Sequence, residues 1–321
     1  MINIFIKTLK EEGGYIAFLR ALKSLSLVIG RAVRGWKWSI KSLQREKVTK
    51  YVLGSKINLY FFDKGISKDL YIYGKREHLS TDLIISKGLI NKGDIVLDLG
   101  ANIGYYALLE SKLVGKTGLI YAVEPSPKTF QILKENVHLN GISTIKLFNL
   151  AMGDFVGKAQ MHISKHLNLS RMSHSQLDEN NGKTISVDMC TVDEFFKDRT
   201  YPDLIRMDVE GYEIQIFRGM REIMAKRSPD IFIELHPTLM SIDDSRELFE
   251  ILETNNYEVA YCLFNPSQEK NPFARYACKK LGELGDYEGK FFNMTLSQAK
   301  DWVISRQFRR LPHFVFRKKS T

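Results

Sequence analysis

Val96-Leu-Asp-Leu-Gly-Ala-Asn-Ile-Gly-Tyr-Tyr106, followed by Ile120-Tyr-Ala-Val-Glu-Pro125, decides the fold of this 321-residue chain. Ile95-Val-Leu97 is a short apolar run of strand length, and Gly100 and Gly104 sit in the turn after it, ahead of a helix expected over about 103–113. A second apolar strand follows at Leu119–Val123. Ser126-Pro127 then opens a helix, with serine as N-cap and proline in the first turn, and Asn140-Gly141 closes it. Outward from this point the alternation continues: strands at 144–150, Leu204–Met207 and 230–235, with a helix over about 211–225. Strand–helix alternation of this kind predicts a mainly parallel sheet with helices on both faces.

In such sheets ligands bind at the carboxyl ends of the strands, and an acid ending the second strand accepts hydrogen bonds from ribose hydroxyls. Glu124 stands there, 24 residues after Gly100. The nucleotide is narrowed by what the turn lacks. A dinucleotide fingerprint starting at Gly100 needs glycine at positions 102 and 105, which are Asn102 and Tyr105, and the Gly-Lys-Ser/Thr ending of a phosphate loop is missing. Asp98, just before Gly100, suits a ligand carrying positive charge and repels pyrophosphate. S-adenosylmethionine, with an adenosine, an ammonium and a sulfonium, fits this pattern. Asp98, Gly100, Asn102, Gly104 and Glu124 are the expected cofactor-binding residues.

From about Tyr73 to Pro237 the sequence resembles the FkbM-type S-adenosylmethionine-dependent methyltransferases. The resemblance rests on Arg76-Glu77, the Asp98–Gly104 block, Glu124-Pro125, Asn149-Leu-Ala-Met-Gly-Asp154, Thr191-Val-Asp193, Arg206-Met-Asp-Val-Glu-Gly211 and Glu234-Leu-His236. It implies a class I methyltransferase (Rossmann-like) fold: a mainly parallel seven-stranded sheet with an antiparallel last strand, for which Phe314–Phe316 is the candidate. It also implies O-methylation, often of sugars, glycans or secondary metabolites. It adds Glu77 as a residue approaching the methionine end of the cofactor, with a surface ion pair to Arg76 as the plainer role. Arg206-Met207 stands where family members commonly have Lys-Ile or Lys-Met.

A sugar hydroxyl is a poor nucleophile, and a general base adds about 10²–10⁴-fold. Candidate catalytic residues follow the fourth and fifth strands: Asp208 and Glu210 after one, Glu234 and His236 at the end of the other. Asp208 is the first choice for contact near the reacting groups, and His236 the better base on the ordinary pKa of imidazole. The plainer roles are a structural histidine held by a neighbouring carboxylate, Glu210 as a cap for a helix beginning at Gly211, and Glu213 as a solvated helix residue. Asp208, Glu210, Glu234 and His236 also have the donor atoms for a divalent cation, but no short metal-ligand motif accompanies them and no metal is assigned. Asn149 and Asp193 belong to the matched blocks without a clear role.

The formal net charge of +10 is unevenly spread. Residues 1–50 carry eleven Lys/Arg against three acids, residues 302–321 carry six against none, and the body between them is mildly acidic. That argues against a nucleic-acid groove, as does the Asp208-Val-Glu-Gly turn, where base-methylating enzymes commonly carry an Asn/Asp-Pro-Pro-aromatic turn. RNA methylation is thus the alternative enzyme reading and a non-catalytic cofactor-binding module the third. No specific nucleic-acid partner is expected. Residues 1–50 read as a basic amphipathic helical arm, with Phe18, Leu22, Leu25 and Ile29 at helical spacing and Trp36 and Trp38 beyond. Arg20 and Lys23 interrupt any membrane span. The arm either packs on the domain or lies on an anionic membrane. A β-hairpin is expected across Tyr51–Gly74, turning at Lys64-Gly65, and a substrate-shaping loop over Lys165–Lys183. The domains are therefore 1–50, the arm, and 51–321, the methyltransferase domain with its cofactor core at about 73–237. The expected partners are a small or glycan acceptor and, through the arm, a membrane surface. Three scattered cysteines fit a reducing compartment and the charged N-terminal stretch suits neither a span nor a secretory leader, so a cytoplasmic chain is expected, peripheral at the inner membrane face where the arm lies on the membrane.

Overall fold

The computed structural model of the chain describes residues 14–163, 171–172, 183–263, 291–292, 294–305 and 312–319. It divides into two compact units, residues 1–76 and 77–321. In the first unit, helix α1 (Gly14–Ser42) precedes strands β1 (Lys47–Val52) and β2 (Ser55–Tyr60) and helix α2 (Ile66–Tyr73). The hairpin is one strand earlier than the sequence pattern predicts. β1 and β2 pair antiparallel around Leu53 (φ 48°) and Gly54 (φ 75°), both in the left-handed region that tight two-residue turns require. The expected second strand at 70–73 is instead helical. Asp63 fixes the first turn by accepting the backbone N–H of Gly65 at 2.9 Å and of Ser67 at 2.8 Å, and Gly74, at φ 71°, ends the helix. Ile66 and Leu70, four apart, are buried, so a helical stripe lies within what reads as an alternating run.

Trp38 anchors α1 in this unit, its ring centroid 4.5 Å from Phe61 and 5.1 Å from Tyr71. Arg34 donates to the carbonyl of Ile72, and Arg31 lies over the Tyr73 ring. These residues mark one face of the helix. On another, Ile29, Val33, Trp36 and Ile40 are exposed, as is Leu43 in the turn just after the helix. Among the described residues, no helix is long and apolar enough to cross a membrane.

The second unit opens with α3 (His78–Ser86) and the cofactor-half elements: β3 (Ile95–Leu99), α4 (Tyr105–Val114), β4 (Leu119–Val123), α5 (Pro127–Leu139) and β5 (Ile145–Phe148). A small four-stranded sheet is inserted next, from β6 (Ala151–Met152), β7 (Gly157–Ile163), β8 (Arg171–Met172) and β9 (Lys183–Cys190). The expected loop at 165–183 lies outside the described residues except for β8, which pairs with β7, and Lys183 at the start of β9. Then come α6 (Val192–Phe195), β10 (Leu204–Met207), α7 (Glu213–Arg218), α8 (Arg221–Lys226), β11 (Asp230–Glu234) and α9 (Ile242–Thr254). β12 (Tyr257–Leu263), the two-residue β13 (Phe291–Phe292), α10 (Leu296–Ser305) and β14 (His313–Lys318) complete the unit. The expected helix at 211–225 is two short ones, broken at Gly219-Met220.

The main sheet runs β13-β12-β14-β11-β10-β3-β4-β5. β5, β4, β3, β10 and β11 are parallel, while β14 enters antiparallel between β11 and β12. Apart from the two-residue edge strand β13, seven strands with a reversed last strand make the class I methyltransferase sheet, and Phe314–Phe316 lies in that strand, as expected. Both sheet faces need cover because its strands are apolar on alternate and intervening positions alike: Val96, Leu97 and Leu99 of β3, and Leu204, Ile205 and Met207 of β10, are all buried. Helix α4 packs on β3 and β4, and α9 and α10 pack on β12.

Candidate active site

The site is built at the carboxyl ends of β3, β4, β10 and β11. Gly100 leaves β3 at φ 78°, where a side chain is strained, and a Cβ on it would lie 2.0 Å from the backbone oxygen of Asp208. The glycine is therefore required by the neighbouring strand as much as by any ligand, and it brings the turn after β3 directly against the turn after β10. Asn102 also takes a left-handed conformation, φ 50°. Its backbone N–H donates to Glu124 Oε2 at 3.0 Å, and the Ser126 N–H donates to Glu124 Oε1 at 2.9 Å. Each carboxylate oxygen keeps lone-pair capacity for a further donor such as a ribose hydroxyl. Burial pushes Glu124 up to about 7, against the pull of those two backbone bonds. Asn149 holds this corner, its Nδ2 donating to the carbonyls of Glu124 (2.8 Å) and Pro125 (3.1 Å). Asp193 acts at a distance from the site, accepting the N–H groups of Glu222 and Ile223 at the start of α8.

Arg206 is a charge within an otherwise apolar strand, and a buried charge must be paired. Its guanidinium donates to Asp98 Oδ1 at 2.8 Å and to Asp208 Oδ2 at 3.3 Å, and it lies 3.8 Å from the Tyr106 ring centroid. Asp98 is fully buried, so the anion that the sequence sets before Gly100 is neutralised largely from within the protein. Its Oδ2 has no hydrogen-bond partner among the described residues. Burial raises the Asp98 pKa, with Arg206 opposing. Tyr106 in turn donates to Glu77 Oε2 at 2.6 Å, which ties Glu77 to the same network.

Beyond Arg206 the side chains are mostly acidic. Glu210, at φ 52°, is not the cap of α7: Tyr212 holds the N-cap position, and the Gly211 N–H goes to Glu213. The Glu210 carboxylate faces His236, with Oε2 3.4 Å from Nε2. Glu213 is not solvated but fully buried, and its Oε1 meets His236 Nδ1 at 2.6 Å. Its spacing carries the clue: Glu213, Ile216 and Phe217 share the buried face of α7. Burial by itself lowers the His236 pKa, but the Glu213 hydrogen bond and the charges of Glu213, Asp208 and Glu234 outweigh it and lift the imidazole to about 10. His236 is thus a held cation near neutral pH, which reverses the ranking based on its ordinary pKa. Burial and the nearby Glu234 push Asp208 up to about 6. Burial and the nearby Asp208 push Glu210 up to about 7, against the pull of His236.

His313, which sequence reasoning misses, enters from the reversed strand. The β11–β14 register sets it opposite Glu234, with Nε2 3.4 Å from Glu234 Oε2 and 3.9 Å from Glu77 Oε2. Glu77, Asp208, Glu210, Glu234, His236 and His313 thus converge beside the Gly100 turn. Only the pairing register of β14 discloses the last of them.

A sequence profile described as the methyltransferase FkbM domain matches residues 98–259, half of the chain. The chain belongs to the FkbM methyltransferase family. The match starts at Asp98 and ends at Val259, so Arg76-Glu77 precede it. The family's cofactor, S-adenosylmethionine, fits the residues present: a turn that admits no side chain at Gly100, a Glu124 carboxylate with acceptor capacity left, and an unsatisfied Asp98 oxygen. Among curated proteins, the protein-L-isoaspartate O-methyltransferase of Fervidobacterium nodosum is 38% identical over 58 residues, 18% of this chain and 29% of that protein. An uncharacterized protein of Methanocaldococcus jannaschii is 29% identical over 91 residues, 28% of this chain and 34% of that one. The chain thus spans about a third or less of the length of these relatives. Among solved structures, an FkbM methyltransferase from Methylobacillus flagellatus is 16% identical with a TM-score of 0.41, covering 60% of this chain and 48% of that one. The M. jannaschii TYW2 protein in complex with AdoMet is 15% identical with a TM-score of 0.38, covering 86% and 88%.

Proposed function

We propose that this FkbM-family chain is an O-methyltransferase, transferring the methyl group of S-adenosylmethionine to a hydroxyl of a saccharide, glycolipid or similar small acceptor. The observation that carries the reading is the packing of the Gly100 turn against Asp208, which sets the acidic cluster beside the cofactor turn. When bound, the cofactor supplies an electrophilic methyl on a cationic sulfur. Glu124 takes the ribose hydroxyls and the turn at 100–104 encloses the nucleoside. Glu210 accepts the acceptor's proton. Its side chain is more exposed than that of Asp208 (25% against 19%), and unlike Asp208 it is not paired with Arg206. Its value of about 7 suits a base at neutral pH. Asp208 is held by Arg206 and orients the acceptor. His236, fixed by Glu213, balances the charge of its neighbours. A polyol offers several hydroxyl donors, and carboxylates are their natural acceptors.

The site of action in this reading is an anionic membrane surface. Ile29, Val33, Trp36 and Ile40 recur at steps of four and three as one stripe of α1, continued by Leu43 in the turn after it, and are exposed, with Trp36 at 65% and Leu43 at 87%. Arg31, Lys37 and Arg45 are exposed nearby. An apolar stripe with accessible cations supports a helix lying in the headgroup region, able to bring the enzyme to a lipid-linked acceptor.

The experiment is to incubate the chain with methyl-labelled cofactor and fractionated cell extract. Label in lipid or saccharide that disappears in Glu210→Gln supports the proposal. Label confined to RNA or protein overturns it.

A further inference from the structure

Around the fifth strand's end the acids outnumber the cations. Glu77, Asp208, Glu210 and Glu234 face one another with Arg206 shared between Asp208 and Asp98, and with His236 and His313 between them. One ligand atom each from Asp208, Glu234 and His236 lies within 4.8 Å of the others. Metal–ligand bonds of about 2.0–2.2 Å set neighbouring ligand atoms about 3–4 Å apart, so side-chain adjustment alone closes such a set on an ion.

Two observations beyond the cluster point to a cation. The first is the Glu213–His236 bond. A histidine that ligates a metal characteristically gives its other ring N–H to a carboxylate, which fixes the ring and aims the remaining nitrogen at the ion. Glu213 does this from a fully buried position at 2.6 Å, leaving Nε2 turned toward Glu210. The second is His313. Its Nε2 is shut off from solvent and is paired only loosely, with Glu234 Oε2 at 3.4 Å and Glu77 Oε2 at 3.9 Å. With Glu77 it forms a second ligand set that shares Glu234, so that this carboxylate stands between two imidazoles.

We infer that Asp208, Glu234 and His236 bind a divalent cation with affinity for both carboxylate and imidazole, of the Mn²⁺ type, on the acceptor side of the cofactor turn. Two carboxylates and one imidazole suit such an ion better than Mg²⁺, which favours an all-oxygen shell. Three protein ligands leave positions for an acceptor oxygen and water.

The catalytic meaning of the site rests on the hydroxyl-acceptor reading, whereas the binding itself does not. The ion lowers the pKa of the acceptor hydroxyl. The hydroxyl proton passes to Glu210, the oxygen–carbon bond forms, and the carbon–sulfur bond breaks with its electron pair staying on sulfur.

The test is titration of the EDTA-treated full chain with Mn²⁺, followed by loss of the free-ion electron paramagnetic resonance signal. The expected result is one strong site per chain. Glu234→Gln and His236→Gln should weaken it by about tenfold or more, and Glu213→Gln, which touches no ion, by about 10–100-fold. Asp243→Asn, on an exposed stretch of α9, should leave it unchanged. Thermal stabilisation by S-adenosylhomocysteine, retained in every variant, shows that each is folded. If the wild type binds no more Mn²⁺ than Glu234→Gln, the inference is overturned. Mn²⁺ binding without any methylated hydroxyl would sustain the site and remove the acceptor reading. Methylation at full rate in EDTA, without Mn²⁺ binding, would do the reverse.

Discussion

Glu213, at the start of α7, and His236, two residues past β11, are 23 positions apart in sequence and meet at 2.6 Å with both side chains almost wholly buried. A buried imidazole and a buried carboxylate are each costly alone, and the bond between them is what makes both tolerable. Removing the acid's charge while keeping its shape should release the histidine. In Glu213→Gln the His236 pKa, followed by the imidazole proton and nitrogen shifts, is expected to fall from about 10 toward its ordinary 6.5. The hydrogen bond to a charged partner is worth about 1.5–3 kcal/mol, so urea unfolding should show a loss of that order. An unmoved His236 titration would mean that Asp208 and Glu234 alone set it.

Arg206 offers a sharper stability test. It is the cation between Asp98 and Asp208 and is nearly inaccessible. Arg206→Met leaves the buried Asp98 and the half-buried Asp208 without it, and should destabilise the protein by about 3–5 kcal/mol. Arg206→Lys keeps the charge but loses the planar fork that reaches both acids, so it should lose less stability while still weakening cofactor binding. Equal denaturation midpoints for the Met and Lys variants would refute the bridging role.

Gly100→Ala tests the strand contact. Its methyl would meet the Asp208 backbone oxygen at 2.0 Å in a backbone conformation that itself costs about 1–3 kcal/mol for a non-glycine residue. Soluble protein is expected only in small yield, without stabilisation by S-adenosylhomocysteine. Normal expression and normal cofactor binding would show that β3 and β10 can separate at this point.

The pH dependence follows from carboxylates whose folded values are raised. Glu124 and Glu210 move from 4.5 to about 7. A raised group binds its proton more tightly when folded, so its contribution is fully present below about 4.5 and lost as pH rises to about 7. His236 acts in the same sense over a higher window, from 6.5 to about 10. The melting temperature of the ligand-free protein should therefore fall between about pH 5 and pH 8. Cofactor affinity should move the other way, because ionised Glu124 is the better acceptor for ribose hydroxyls. Isothermal titration at about pH 6 and pH 8, on either side of the Glu124 value, should give the tighter constant at the higher pH, and Glu124→Gln should flatten the difference.

For the membrane stripe, deleting residues 1–50 would be a poor probe, since Trp38 packs on Phe61 and Tyr71 in the first unit. Trp36→Ser with Leu43→Ser removes exposed surface alone. Sedimentation with vesicles of phosphatidylglycerol and phosphatidylcholine should fall by about tenfold or more for the double variant while cofactor binding is kept. Unchanged sedimentation would assign α1 a purely structural role.

The residues that announce themselves in the sequence are those whose signal is local. The turn at 98–104, the acid at 124 and the helix opening at Ser126-Pro127 are each read from a few neighbouring positions, and all lie where expected. Glu213 is misread because a charged residue on a short helix defaults to solvent, and only its spacing from Ile216 and Phe217 argues otherwise. His313 depends on a strand register, which is long-range information. The 66–73 segment misleads in another way: Asp63, two residues ahead of Gly65, imposes a helical turn on residues whose side chains equally suit a strand.

The reversed entry of β14 between β11 and β12 also sets a timetable for synthesis. The turn at 100–104 and Glu124 have been synthesised once β5 is made, whereas Asp208 and Arg206 come with β10 and His313 must wait for the rest of the sheet. At about 5–20 residues per second that interval is on the order of ten seconds or more. During it the nascent chain displays a nucleoside cradle whose acceptor wall is incomplete, and β11 waits with an unpaired edge where its last partner will insert. Cofactor available early would therefore act as a folding template for the first half, with the acceptor side of the site assembled only on insertion of the final strand.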